Sequence, residues 1–217
     1  MSSWKQDDDG DIYYEARTCG ISACRRRVIP EADSFWRSYF KTALSQNLSC
    51  VARDRSAGGK LIGLRLTTDV TLDMYESNLK GLFTMQFNHP IMKKQLMKFR
   101  DPETVSAVEG NVRWMRERNI EKICKFAALC VHRDYRKRGI GTEMNRKALA
   151  DATARGCEIA VVFSSAGGSQ KTFERVGFVE FYSKDYSDFL DERGQQYIFP
   201  LDGTKCMKGY LKMLQGA

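Results

Sequence analysis

Six residues, Arg136-Lys137-Arg138-Gly139-Ile140-Gly141, constrain this chain more than any other stretch because of what stands on either side of them. Upstream, Ile123 to Val131 is an apolar run whose only charge is Lys125, the pattern of a mostly buried strand. Downstream, Ile140, Met144, Ala148 and Ala152 recur at helical spacing. The glycines therefore fall at a strand-to-helix turn, where the first amide N–H groups of the helix lack intrahelical partners and carry the positive end of its dipole. Gly139 and Gly141 have no Cβ, so the backbone can approach a phosphate oxygen, and Arg136, Lys137 and Arg138 surround it with positive charge. After a helix of crossover length the chain reaches a second apolar segment, Ile159 to Phe163. The whole reads as a βαβ unit with a phosphate site at its first turn.

Two common phosphate motifs are excluded. A P-loop needs Gly-Lys followed by Ser or Thr, and the dinucleotide fingerprint needs three glycines at set spacing. Neither occurs here. Arg136, Gly139 and Gly141, following a strand, resemble motif A of the GNAT N-acetyltransferase superfamily, in which Arg or Gln, two residues, Gly, one residue, and Gly or Ala succeed one another. Phe173-Glu174-Arg175-Val176-Gly177-Phe178 resembles its motif B, a short helix ending at a glycine before the next strand. Within the superfamily the chain looks most like the invertebrate (insect-type) arylalkylamine N-acetyltransferases. That likeness rests on Ser164-Ser165 after the second strand, Ser169 four residues later, Asp185-Tyr186, and Gln196 to Phe199 read as a late strand. It runs from Leu61 to the C-terminus, with its motifs confined to Leu129 to Phe199.

The resemblance implies an α/β (α+β) architecture. Residues 1–217 would form a single GNAT domain with a mixed central sheet, parallel strands splayed around acetyl-CoA and helices on both faces. It implies an acetyl-CoA-dependent acyltransferase in which a primary amine attacks the thioester directly. An arylalkylamine of the dopamine, serotonin, tyramine or octopamine type is the expected acceptor. A polyamine, a protein N-terminus, or a CoA-binding module with little turnover stay open as alternatives. Main-chain groups of Leu129, Cys130 and Val131 would hold the pantetheine arm of coenzyme A. Arg136, Lys137, Arg138, Gly139, Ile140, Gly141 and Thr142 would hold its pyrophosphate. An amide aimed at a developing oxyanion contributes about 2.7 to 4 kcal/mol, so backbone placement can outweigh any one side chain.

The proton carriers are less well marked. Many superfamily members place a tyrosine in motif B near the sulfur, but this chain has Phe173, which has no proton to give. Insect-type enzymes carry serines that match Ser165 and Ser169. A hydroxyl can relay a proton or hold a water, yet Ser165 also suits a turn at the strand end and Ser169 an N-cap for a helix over Gln170 to Val176. The family's general base is a glutamate preceding a proline at the end of the first helix. The nearest counterpart, Glu31, follows Pro30, and it also reads as an ordinary first-turn carboxylate. Cys130 reads as a small strand residue with no partner to activate it, and His132 as a surface residue.

The remainder fits one soluble domain. A chain of 217 residues with 42% hydrophobic and 29% charged residues can bury a substantial core, and no apolar run is long enough to span a bilayer. With no signal pattern at its start, it is expected to be cytoplasmic, a monomer or weak dimer without membrane partners. Seven scattered cysteines favour reduced thiols. A zinc site would have to start from Cys19 and Cys24, but no C-x-x-C pair exists and the histidines are only His89 and His132, so no metal is expected. The net charge of +8 raises nucleic acid as a partner, but Arg25-Arg26-Arg27 and Arg136-Lys137-Arg138 are short and lack interleaved aromatics, which argues for coenzyme A and against nucleic acid. Residues 1–11 are expected to fray and Ile12 to Thr18 to form a strand. A helix should run from Asp33 to Asn47 with Phe35, Tyr39, Ala43 and Leu44 on one face, followed by a hairpin, Ser49 to Asp54 and Lys60 to Thr68, around Gly58-Gly59. Two further helices, Asn88 to Phe99 and Pro102 to Glu117, should meet at Arg100-Asp101-Pro102.

Overall fold

A computed structural model of the chain describes residues 2–6, 12–16, 30–86, 90–200 and 202–214. Its centre is a six-stranded sheet, built from β3 (Cys50–Asp54), β4 (Lys60–Thr71), β5 (Lys122–Val131), β6 (Ile159–Ser164), β7 (Val179–Asp185) and β8 (Cys206–Met213). The spatial order is β3-β4-β5-β6-β8-β7, and β5 against β6 is the single parallel pair. Where fraying was expected over residues 1–11, β1 (Ser2–Gln6) pairs antiparallel with β2 (Ile12–Ala16) in a separate two-stranded sheet. Cys19, Cys24, Arg25-Arg26-Arg27 and His89 lie outside the described residues.

Helices cover both faces of the main sheet, which is why β4 is buried without interruption from Ile62 to Thr68 instead of alternating. On one face, Phe40 and Ala43 of α1 (Pro30–Ser45) pack on Leu64 and Leu66. Beside them, Leu72 and Tyr75 of α2 (Leu72–Thr84) and Val112 and Met115 of α4 (Pro102–Glu117) cover Ile123, Ile159 and Val161. On the opposite face, Ala148, Leu149 and Ala152 of α5 (Ile140–Ala154) and Phe173 of α6 (Gly167–Arg175) cover Cys124, Phe126, Ala160 and Val162. Leu44, assigned by periodicity to the buried face of α1, is exposed, and Phe40 takes the inward place.

Several boundaries move. The β4 strand runs on to Thr71, whose side chain caps α2 by accepting from the Met74 N–H at 3.2 Å. That helix has no counterpart in the sequence reading. Gln196 to Phe199 is not a strand, since Gln196 makes a single bridge to Leu190. The late strand is β8, inserted antiparallel between β6 and β7.

The junction of α3 (Pro90–Arg100) and α4 falls where the sequence places it, with Pro102 at the first turn. Asp101 does two things there: one carboxylate oxygen accepts from the Thr104 N–H at 3.1 Å and the other lies 2.8 Å from the largely buried Nζ of Lys184 on β7. Although burial opposes it, Asp101 and Glu103 hold the Lys184 pKa above its usual value. A raised lysine pKa stabilises the fold fully below the ordinary lysine range and is lost only as pH climbs through the raised value. Asp101→Ala is expected to cost about 2 kcal/mol in urea unfolding, the sum of a lost cap and a weakened ion pair, with Asp101→Asn costing less because the cap survives.

Candidate active site

The site begins with a gap in the sheet. The β5 and β6 strands pair only over Ile123 to Lys125 against Ile159 to Val161, and from Phe126 onward the parallel ladder stops. A register shift in the β4–β5 pairing between Leu66 and Thr67 leaves Ala127 as an extra residue and turns β5 away. Meanwhile β6 continues to pair with β8 as far as Ser164. The edge of β5 over Phe126 to Val131, including the expected arm-binding residues Leu129, Cys130 and Val131, therefore has backbone groups turned toward a cleft. Such groups require partners, and an extended amide-bearing ligand can supply them.

At the mouth of that cleft the chain makes the basic turn. The Tyr135 hydroxyl bonds to Asp54 Oδ2 at 2.8 Å, tying the turn to the β3–β4 hairpin, whose own reversal uses Gly58 and Gly59 at positive φ. Arg136 Nε donates to the Val131 carbonyl at 3.2 Å, and Arg138 Nη2 donates to the Asp134 carbonyl at 3.0 Å with its guanidinium 5.1 Å above the Tyr135 ring. Lys137 (φ 62°) and Gly139 (φ 81°) are both left-handed, which brings the backbone round into α5. Gly139 is the N-cap and offers no side-chain acceptor, while its carbonyl receives the Glu143 N–H at 3.1 Å. The amides of Ile140, Gly141 and Thr142 are thus left to face an anion.

The two glycines differ in their surroundings. A Cβ on Gly139 would meet no protein atom within 4 Å, so that side of the turn is open to a ligand. A Cβ on Gly141 would sit 3.4 Å from Leu129 Cδ2 and 3.5 Å from Thr172 Cγ2. Gly141 is buried where α5 meets β5 and α6, and a Cβ there would make only ordinary van der Waals contact, so the packing does not by itself require glycine.

Of the proton-carrier candidates, Ser165 is exposed just beyond β6, and its carbonyl accepts from the buried Tyr186 hydroxyl at 2.9 Å. Burial pushes the Tyr186 pKa upward. Ser169 is not an N-cap. Its helix starts two residues earlier, with Ala166 as the cap and the Ser169 N–H bonded to the Ala166 carbonyl at 2.9 Å. The Ser169 carbonyl accepts from Thr172 Oγ1 at 2.7 Å, which in turn receives Asn145 Nδ2 at 3.1 Å, a chain that locks α6 to α5. Glu31 is in the first turn of α1, and its side chain lies outside the described part of the structure. Phe173 is a core residue, edge-on to Phe126 at 6.2 Å and to Phe178 at 5.1 Å. His132 is partly exposed before the turn. Five cysteines, Cys50, Cys124, Cys130, Cys157 and Cys206, are free thiols, and among the described residues no group of three or more His, Cys, Asp or Glu could hold a metal ion.

A strand that parts from its parallel neighbour, ending in a glycine turn at a helix N-terminus, is the geometry expected of motif A. Residues 69–178, just over half the chain, match the profile of the Acetyltransferase (GNAT) family. The chain belongs to that family. Among solved structures, this GNAT chain is similar to arylalkylamine N-acetyltransferase 2 of Aedes aegypti, with a TM-score of 0.67 and 19% identity over 88% of this chain and 83% of that one. It is similar in the same degree to a Drosophila melanogaster polyamine N-acetyltransferase, with a TM-score of 0.67 and 17% identity over 90% and 86% of the two chains. A mosquito arylalkylamine N-acetyltransferase-like 5b follows at a TM-score of 0.64 and 19% identity, over 91% and 86%. No match was found among curated protein sequences.

The face of the acetyltransferase away from α5 and α6 is rich in aromatic groups near the end of β6. Phe163 stands edge-on to Phe99 of α3 at 6.2 Å and to Phe181 of β7 at 5.7 Å. Gly209 of β8 makes room for them, since a Cβ there would lie 2.7 Å from the Phe181 ring. Phe181 also borders a recess of about 280 Å³ shared with Trp114, Asn111 and Leu211. The same face carries Lys125, whose Nζ is 5.6 Å from the centre of the Tyr39 ring and whose pKa is lowered by burial. Sequence reasoning named Tyr186 only as part of the resemblance, without a role, and missed Asn145 and Arg65. A lone arginine within the apolar run Leu61 to Leu66 was the one available signal for the last of these.

Proposed function

We propose that the protein transfers the acetyl group of acetyl-CoA to the primary amine of an arylalkylamine. The observation that carries the choice of acceptor is the aromatic wall of Phe99, Phe163 and Phe181 beside the end of β6. Fold likeness does not choose, because an arylalkylamine enzyme and a polyamine enzyme resemble the chain equally. A polyamine carries several positive charges and calls for carboxylates around it, whereas this face presents rings and the cation of Lys125.

In this reading the amides of Ile140 to Thr142, with Arg136, Lys137 and Arg138, hold the pyrophosphate, and the free edge of β5 pairs with the pantetheine arm. The acceptor, neutral and within about 3 to 3.5 Å of the carbonyl carbon, attacks from the aromatic side. A backbone N–H of β5 polarises the carbonyl, Ser165 and Ser169 are the candidate proton carriers, and Glu31 is the candidate base.

The test is thiol release with an amine panel. Tyramine, dopamine and serotonin are expected to exceed agmatine and spermidine in kcat/KM by about 10- to 200-fold, the range one apolar pocket can discriminate. The opposite order would make the protein a polyamine enzyme. Tight acetyl-CoA binding with no acetylation of any amine would make it a CoA-binding module.

A further inference from the structure

Arg65 is the least expected side chain in the molecule. It projects from β4 beneath β5 toward α6 and is 1% exposed, and neither Nε nor Nη2 has a hydrogen-bond partner. Among the described residues no carboxylate pairs with it: the groups acting on its charge are Cys124, Cys50 and Tyr39. Burial draws its pKa down to about 9, so it remains a cation at neutral pH. A buried charge without a counter-ion is strongly destabilising. Waters could satisfy its N–H groups but would not neutralise it. The fold therefore keeps a charge that costs stability, at one particular place.

That place is the inner end of the cleft. The guanidinium carbon lies 4.1 Å from the centre of the Phe126 ring and 5.3 Å from that of Phe173. Phe126 is the first residue of β5 beyond its pairing with β6. From Val131, beside the phosphate turn, back to Phe126 is about 16 Å of strand, close to the reach of an extended pantetheine arm. An arm anchored at Gly139 and laid along β5 puts its sulfur near Phe126, and Phe173 closes that spot from the α6 side with no proton to offer.

We propose that Arg65 supplies the positive charge that stabilises the coenzyme A thiolate as it departs, an assignment that rests on the acetyl-transfer reading above. When the amine lone pair forms the C–N bond and the C–S bond breaks, the electron pair goes to sulfur. Arg65 holds that charge until the proton shed by the amine nitrogen reaches the sulfur, and Arg65 stays protonated throughout.

The decisive measurement needs no acceptor amine. The ultraviolet thiolate absorbance of bound coenzyme A is titrated against pH, with the desulfo-coenzyme A complex subtracted to remove the protein's own thiols. Bound to the wild type, the thiol should titrate about one to three units below the free cofactor, the shift produced by an opposite charge nearby. In Arg65→Met it should titrate at or above the free value, and in Arg65→Lys most of the shift should survive. Calorimetry should show acetyl-CoA affinity within about threefold in all three proteins, with kcat of Arg65→Met down about 100-fold at unchanged KM. Unliganded Arg65→Met should melt no lower than wild type, because a buried unpaired charge gives way to an apolar chain of similar length. An unshifted thiol in the wild type, or an equal shift in Arg65→Met, would overturn the proposal. The wild-type comparison stands even if neither substitution folds. Failure of every form to bind coenzyme A would instead sink the acetyl-transfer reading.

Discussion

Gly139→Val is expected to weaken acetyl-CoA binding by 100-fold or more, equivalent to about 2.7 kcal/mol or above, in a calorimetric titration. Two effects combine and can be separated. A Cβ at φ 81° strains the backbone, which costs about 1 to 2 kcal/mol for an L-residue and lowers Tm by about 2 to 8 °C for a chain of this size. The same Cβ meets no protein atom within 4 Å, so the rest of its effect must fall on whatever occupies the open side of the turn. Gly139→Ala carries nearly the same backbone strain with less bulk and should bind with intermediate affinity. If Gly139→Val melted lower yet bound acetyl-CoA normally, the phosphate assignment of this turn would be wrong.

Phe173→Ala is expected to cost about 3 to 5 kcal/mol and to lower Tm by about 6 to 20 °C. The ring is 2% exposed and touches Phe126, Phe178, Tyr210 and the Arg65 guanidinium, so truncation opens a cavity under both α6 and β5. Phe173→Leu should cost a good deal less, because most of the volume is kept. A melting temperature within a degree of wild type for Phe173→Ala would show that the aromatic cluster under α6 does not contribute as drawn.

The placement of Phe173 illustrates how far local pattern could reach. Motif spacing put the residue in a short helix ending at Gly177, and its identity as phenylalanine showed that it has no proton to transfer. That its ring instead backs a buried arginine depends on β4, more than a hundred residues earlier in the chain. Ser169 shows the same limit on a smaller scale. A serine before a helix reads as a cap, but Ala166 begins the turn, because the Gly167 N–H is taken by Thr204 Oγ1 at 2.7 Å from a loop distant in sequence. The late strand was misplaced for a related reason. Gln196 to Phe199 holds only three successive apolar residues, too few for periodicity to classify, whereas β8, broken by Lys208 and Lys212, is a strand because a slot between β6 and β7 receives it.

By itself the sequence determined the strand, glycine turn, helix and strand from Ile123 to Phe163, the β3–β4 hairpin, the Asp101-Pro102 helix junction and hence the acetyl-CoA-binding family. All of these depend on backbone preferences and spacings acting over a few residues. The resemblance implied that β5 and β6 splay; only the tertiary structure decided that Gly139 faces open space while Gly141 is buried, and that Arg65 is buried with no carboxylate partner among the described residues. Burial and the loss of a partner are properties of what surrounds a residue, and those surroundings are assembled from segments far apart in the chain.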